Sequence, residues 1–321
     1  MPTTEELRTQ AALAAAEGWP GVRDGETLRT VALPGMTLAV RRRAAACDGL
    51  EPALFVHGLG GSSRNWSALM ELLSGDVECE ALDLPGFGAS PPPDNGDYSV
   101  YGHARAVIRC LEASGRGAVH LFGNSLGGAA VTRVAALRPD LVRTVTLISP
   151  ALPELPPQRT ALPTGLLGMP GMPRLMRRVT RDLPAAHRAR QVLRLCYGDP
   201  ARITLDEFAA AEAELERRQA LPYFWDSLSR TARGIVNTYT LTGQHSLWRQ
   251  AQRVLAPTLL VYGVRDRLVS FRMAKRASRA FPSSRLVVMP EAGHVAMMEY
   301  PAEVARSFRE FVVATAAAEG G

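Results

Sequence analysis

Short continuous apolar runs alternate with stretches of helical period through the first half of the chain. Ala53 to Val56 is one such run, and Cys79 to Leu82, Ala118 to Phe122 and Thr144 to Ile148 follow it. Helical stretches near residues 65–73, 99–113 and 125–137 lie between them, separated by turns rich in Gly and Pro. Strands that are apolar on both faces and alternate with helices predict a parallel sheet covered on both sides, an α/β fold. Ahead of them, residues 28–43 hold two extended segments around Pro34-Gly35, the pattern of a hairpin. After Ser149 the texture changes. Residues 150–173 are dense in Pro, Gly and Leu, and residues 174–252 read as helical without a clear strand. Strand signals return at Thr258 to Tyr262 and Leu286 to Met289, each followed by a helical stretch. The expected organisation is a core in two parts, residues 1–149 and 254–321, interrupted by a helical insertion over residues 150–253.

The length of 321 residues leaves room for two domains or for one large α/β unit carrying an insertion. With 46% apolar and 21% charged residues, a mostly disordered or fibrous chain is excluded. No run of about 18 apolar residues exists, so no membrane span is expected. Glu5 and Glu6 stand near the N-terminus where a secretion signal would be basic, and the Ala-rich stretch after them reads as a surface helix. The net charge is +6, and Lys275 is the only lysine. The arginines are scattered and aromatics are 6%, so no nucleic-acid partner is expected. Cys47, Cys79, Cys110 and Cys196 form no Cys-x-x-Cys pair, which argues against a zinc or thioredoxin-like site and for reduced thiols in a cytoplasmic protein.

Chemistry concentrates at strand ends. Gly123-Asn124-Ser125-Leu126-Gly127-Gly128 follows one apolar strand and opens a helix. A Gly-x-Ser-x-Gly turn in that context exposes its serine on a strained backbone, where it serves as a nucleophile. The plain alternative is a serine N-cap in a glycine-rich turn. His57-Gly58-Leu59-Gly60-Gly61 follows an earlier strand. A carbonyl hydrolase needs two N–H donors aimed at the oxyanion, and the backbone of Leu59 and Leu126 is placed to supply them. His57 itself reads as a residue that orients this loop. A serine needs a base and the base needs a carboxylate. His294 follows the strand ending at Met289, and Asp266 follows the strand ending at Tyr262, in the chain order Ser, Asp, His. Glu154, after the strand ending at Ile148, is the rival acid. No phosphate-loop or dinucleotide fingerprint fits the glycines.

Taken together, His57-Gly58-Leu59-Gly60-Gly61, Asp83-Leu84-Pro85-Gly86-Phe87-Gly88, the Ser125 turn, Gly263-Val264-Arg265-Asp266 and Gly293-His294 resemble the α/β-hydrolase superfamily. The resemblance runs from about residue 28 to the C-terminal helix. It implies a mostly parallel eight-stranded sheet with helices on both faces and a helical lid inserted after the sixth strand. It also implies a serine hydrolase without cofactor or metal, and a structural role for Asp83. Carbon–carbon hydrolases of ring-fission products share such a serine turn but typically carry Trp after the catalytic histidine, where this chain has Val295.

The expected reaction is cleavage of a small apolar carboxylic ester, with short or medium acyl chains favoured, by a monomer or homodimer. Carbon–carbon cleavage of a diketone and aminopeptidase action are the alternatives. Trp66 and Met297, each just after a catalytic loop, are expected pocket residues. In the insertion, Leu166, Leu167, Met169, Met172, Phe208, Tyr223, Phe224 and Trp225 either line an apolar pocket or pack the insertion onto the core. An aminopeptidase would need an acidic patch. Asp206, Glu207, Glu212, Glu214 and Glu216 supply acids, but read better as a solvated helix face.

Overall fold

A computed structural model describes residues 22–319. The predicted surface helix near the N-terminus lies outside these residues. β1 (Glu26–Leu33) and β2 (Met36–Arg43) form the expected hairpin, with Gly35 at φ +77° in its turn. β3 (Glu51–Val56), β4 (Val77–Leu82), β5 (Val119–Asn124), β6 (Val142–Ile148), β7 (Thr258–Gly263) and β8 (Ser284–Met289) complete one sheet in the order β1-β2-β4-β3-β5-β6-β7-β8. Only the pairings of β2 are antiparallel. The mostly parallel eight-stranded sheet expected from the sequence is therefore present.

The helices of the first half are α1 (Ser67–Leu73), α2 (Val100–Ser114) and α3 (Leu126–Leu137). Between β6 and β7 the chain forms α4 (Leu162–Leu166), α5 (Met172–Thr180), α6 (Ala185–Cys196), α7 (Leu205–Ala220), α8 (Phe224–Asn237) and α9 (Leu247–Ala251), with no strand among them. The last part adds α10 (Met273–Ala280), α11 (Ala296–Glu299) and α12 (Pro301–Glu319). Among the described residues no helix is long and apolar enough to cross a membrane.

The two-residue period of the strands divides the core. Leu54 and Val56 pack with α2, α3, α9 and α10 on one face, while Ala53 and Phe55 pack with α1, α11 and α12 on the other. This explains why β5 and β7 read as unbroken apolar runs: every position of both is buried. Strand order reverses at β3, because the chain passes from β3 to β4 on one side and to β5 on the other. In open α/β sheets, the crevice beyond the carboxyl ends at such a reversal is where ligands bind. The loops that follow β3, β5, β7 and β8 carry Leu59, Ser125, Asp266 and His294.

Candidate active site

Ser125 joins β5 to α3 with φ 52° and ψ −118°, a backbone region that side chains rarely occupy. The glycines around it are demanded by contact. A Cβ on Gly123 would sit 2.7 Å from the Gly127 carbonyl oxygen, and one on Gly127 would overlap the Val56 and His57 carbonyls. A Cβ on Gly128 would lie 2.8 Å from the Pro150 ring. Strand β3 and the turn can therefore meet only because Cβ atoms are missing there. The helix begins at Leu126, one residue later than the sequence suggests, and Ser125 caps it without a side-chain bond. Ser125 thus occupies the cap position while its hydroxyl makes no capping bond.

The loop after β3 lies directly against this serine: a Cβ on Gly58 would come within 3.1 Å of the Ser125 Cβ. Among the described residues neither the Leu59 nor the Leu126 N–H donates a hydrogen bond. Neither N–H is therefore engaged elsewhere in the chain among the described residues. His57 holds the loop in place. It is fully buried, accepts the Leu84 N–H at Nε2 (3.0 Å), and so donates from Nδ1 to the Gly58 carbonyl (2.7 Å). Burial pushes its pKa down to about 4, which keeps the ring neutral and in that tautomer. Asp83 accepts the N–H groups of Ser63 (2.5 Å) and Ala89 (2.9 Å), tying two neighbouring turns together.

His294 and Asp266 are brought together. His294 Nδ1 lies 2.9 Å from Asp266 Oδ2, with both residues about nineteen-twentieths buried. Asp266 Oδ1 accepts the N–H groups of Leu268 (2.7 Å) and Val269 (2.9 Å). Burial alone would raise the Asp266 carboxyl, but the His294 charge, its hydrogen bond and the Val269 N–H outweigh burial and lower its pKa. Glu154 faces elsewhere and accepts the Ser270 N–H at 3.2 Å. The two loops meet because Gly263 has no Cβ to strike the Ala292 and Gly293 carbonyls.

Two residues that sequence reasoning passed over hold this arrangement. Asn124, beside the nucleophile, donates from Nδ2 to the carbonyls of Ile148 (3.0 Å) and His294 (2.9 Å), stitching the serine turn to the histidine loop. The buried Glu299 carboxylate accepts N–H bonds from Gly293 (2.8 Å), Gly198 (3.1 Å) and Asp199 (2.7 Å). With the bond from His294 N–H to the Cys196 carbonyl (2.7 Å), it locks the histidine loop to the end of α6. A lone Glu inside the apolar stretch Val295-Ala296-Met297-Met298-Glu299 was the available signal.

Three expectations change. Trp66 has no exposed surface and packs on Phe55, with ring centroids 5.3 Å apart, and Met297 is 1% exposed in the same cluster. Their pocket reading gives way to a packing one, because each sits on a short helix whose buried side closes onto the core beneath the sheet. Glu214 is not on a solvated face. It pairs with Arg217 (2.8 Å) and Arg218 (2.6 Å), and Arg218 in turn donates to the Gly60 carbonyl. Burial would raise the Glu214 carboxyl, but the Arg218 charge and the Arg217 bond hold it down at about 2. Finally, Leu166 and Met169 leave about half of their surface to solvent, each being 51% exposed.

Two buried histidines make stability depend on pH. Burial lowers His57 to about 4 and His103 to about 3, against an ordinary value of 6.5. Their contribution is complete above pH 6.5 and is lost as pH falls toward those values, because only the unfolded chain takes up the protons. A tenfold difference in proton affinity corresponds to about 1.4 kcal/mol, so Tm is expected to fall steeply between pH 6.5 and 4. Thermal melts across that range check this, with His103→Asn flattening the slope. A wild-type Tm that stays level down to pH 4 contradicts it.

Comparison with known proteins agrees with the fold. A family model described as alpha/beta hydrolase fold matches residues 52–301. A protein of Pseudomonas savastanoi pv. phaseolicola that bears the provisional name carbamate hydrolase RutD is 28% identical over 272 residues, covering 83% of this chain and 96% of that one. The pimeloyl-[acyl-carrier protein] methyl ester esterase of Neisseria meningitidis is 25% identical, covering 85% and 96%. Among solved structures, a meta-cleavage product hydrolase of Pseudomonas fluorescens superposes with a TM-score of 0.71 at 20% identity, covering 89% and 98%.

Proposed function

The chain belongs to the alpha/beta hydrolase fold family and is a hydrolase, and from that premise we propose that it cleaves carboxylic esters through an acyl-enzyme on Ser125. The observation that carries this reading is the buried His294–Asp266 pair, joined through Asn124 to a strained serine, with the Leu59 and Leu126 N–H groups engaged nowhere else among the described residues. His294 Nε2 takes the Ser125 proton as the hydroxyl oxygen attacks the ester carbonyl. The Leu59 and Leu126 N–H groups hold the resulting oxyanion, each worth roughly 3 kcal/mol of barrier. Asp266 keeps the imidazole in the tautomer with Nδ1 protonated and stabilises its cation. Collapse breaks the carbon–oxygen bond, and the alcohol leaves with the proton from His294. Water, deprotonated by the same histidine, then releases the acid and restores Ser125.

The alternatives have less support. The acid best placed near the loop after β3, Glu214, is occupied by Arg217 and Arg218, so it offers no seat for the α-amine of a peptide. Val295 follows the histidine where carbon–carbon hydrolases typically carry Trp. The helical insertion acts as a lid in this reading, since Arg218 on α7 grips the Gly60 carbonyl and the end of α6 grips the histidine loop. All four cysteines are free thiols, which supports a cytoplasmic setting.

Labelling with a fluorophosphonate followed by peptide mapping is expected to place the adduct on Ser125, and an ester, amide and diketone panel to show turnover of short and medium acyl esters. An adduct elsewhere, or diketone cleavage with esters untouched, overturns the reading.

A further inference from the structure

The outer face of the helical insertion combines two features that a water-facing surface seldom carries together. Seven of the twenty large apolar side chains exposed among the described residues fall within residues 155–183. On α4 and the turn after it, Leu162, Leu166 and Met169 follow helical spacing and are 50%, 51% and 51% exposed. On α5, Leu175 and Val179 are 49% and 56% exposed. Both helices rest on α8: a Cβ on Gly165 would lie 3.8 Å from Val236, and Arg233 Nε donates to the Gly168 carbonyl at 2.7 Å. The inner side of α8 meets the loop after β3, with Leu228 3.4 Å from a Cβ on Gly60. The exposed apolar row is therefore the far side of the layer that covers the candidate site.

Charge decides what such a face suits. Residues 155–183 contain five arginines, Arg159, Arg174, Arg177, Arg178 and Arg181, against one acid, Asp182. All five are exposed, and none forms an ion pair among the described residues. On α5 the arginines at 174, 177 and 178 lie opposite Met172 and Met176, with Leu175 and Val179 between the two sides. A short helix with a basic side and an adjoining exposed apolar edge lies in the plane of a lipid interface, its arginines on the headgroups and its apolar edge among the acyl chains. No aromatic residue occurs between positions 155 and 183, so the stacking that single-stranded nucleic acid requires is missing. We propose that α4 and α5 form a docking surface for an anionic lipid bilayer.

The test is flotation of the full chain with phosphatidylcholine vesicles, with and without about one third phosphatidylglycerol. The expected result is binding to the anionic vesicles at least tenfold stronger than to the neutral ones. Each arginine is worth roughly fivefold near such a surface, so Arg174→Gln with Arg178→Gln weakens binding by more than tenfold. A charge-matched pair outside the insertion, Arg279→Gln with Arg306→Gln, leaves it within about threefold, which separates a surface from mere net charge. Leu175→Ser with Val179→Ser weakens binding as well and leaves it fully reversed by salt. All three pairs retain the wild-type Tm and turnover of a water-soluble ester. Equal effects of the two arginine pairs, or equal binding to both vesicle types, overturn the proposal. So does a concentration-dependent dimer in solution that the serine pair abolishes, which would make the face a contact between two copies of the chain.

Discussion

Ser125→Ala is expected to lower kcat on p-nitrophenyl butyrate by roughly 10⁶-fold, which corresponds to about 8 kcal/mol of transition-state stabilisation. The size follows from position in the proposed reaction. Ser125 is the residue of the turn that stands on the strained backbone, and in the proposed reaction its oxygen is the atom that attacks. Removing its oxygen leaves nothing to form the acyl bond. The fold should persist, because alanine keeps the Cβ already present and the hydroxyl makes no cap bond. His294→Ala is expected to cost as much, and the double variant hardly more, because the two groups act as one unit. All three proteins should still exceed the rate in water by 10³ to 10⁴, since the Leu59 and Leu126 donors survive. Steady-state turnover with matched melting curves decides the matter. A Ser125→Ala protein that keeps more than about a hundredth of wild-type kcat cannot be using this serine as nucleophile.

What could be read from the sequence was whatever a single local rule dictates. The serine turn is legible because a Cβ at 123, 127 or 128 would strike backbone or ring, so the chain spells its own geometry in glycines. The strands are legible because β5 and β7 are buried at every position. Residues whose role depends on which way a side chain leaves a loop were not legible. Trp66 and Met297 stand near catalytic loops in sequence, yet both turn into the core beneath the sheet. Glu214 looks like its acidic neighbours on α7, and only the fold reveals that it is the one clasped by Arg217 and Arg218. Asn124 and Glu299 act through backbone groups 170 and 101 residues away, a relation that no short window contains. The pieces that the sequence hid are thus the ones that fasten the insertion and the histidine loop to the serine.

Asp266→Asn is expected to reduce kcat by roughly 10⁴-fold, whereas Glu154→Gln changes it less than about threefold. The difference comes from what each oxygen does. Asp266 Oδ1 faces two N–H groups, those of Leu268 and Val269, and Oδ2 faces His294 Nδ1. An asparagine must keep its carbonyl oxygen toward the two donors, because an NH₂ there would leave three N–H groups opposed. Its NH₂ then points at His294 Nδ1 and forces the proton onto Nε2, the nitrogen that must receive the serine proton. The base is lost while packing is conserved, so Tm should move little compared with the rate. Glu154 only accepts the Ser270 N–H, a bond that a glutamine oxygen can replace. The lowered pKa of Asp266 adds a second expectation: its carboxylate stays ionised as pH falls through the ordinary carboxylate range, so it does not set the acid limb of the rate profile. Should Asp266→Asn keep a tenth of the activity while Glu154→Gln loses a hundredfold, the acid of the triad is Glu154, and the 2.9 Å pair at His294 is a structural tie only.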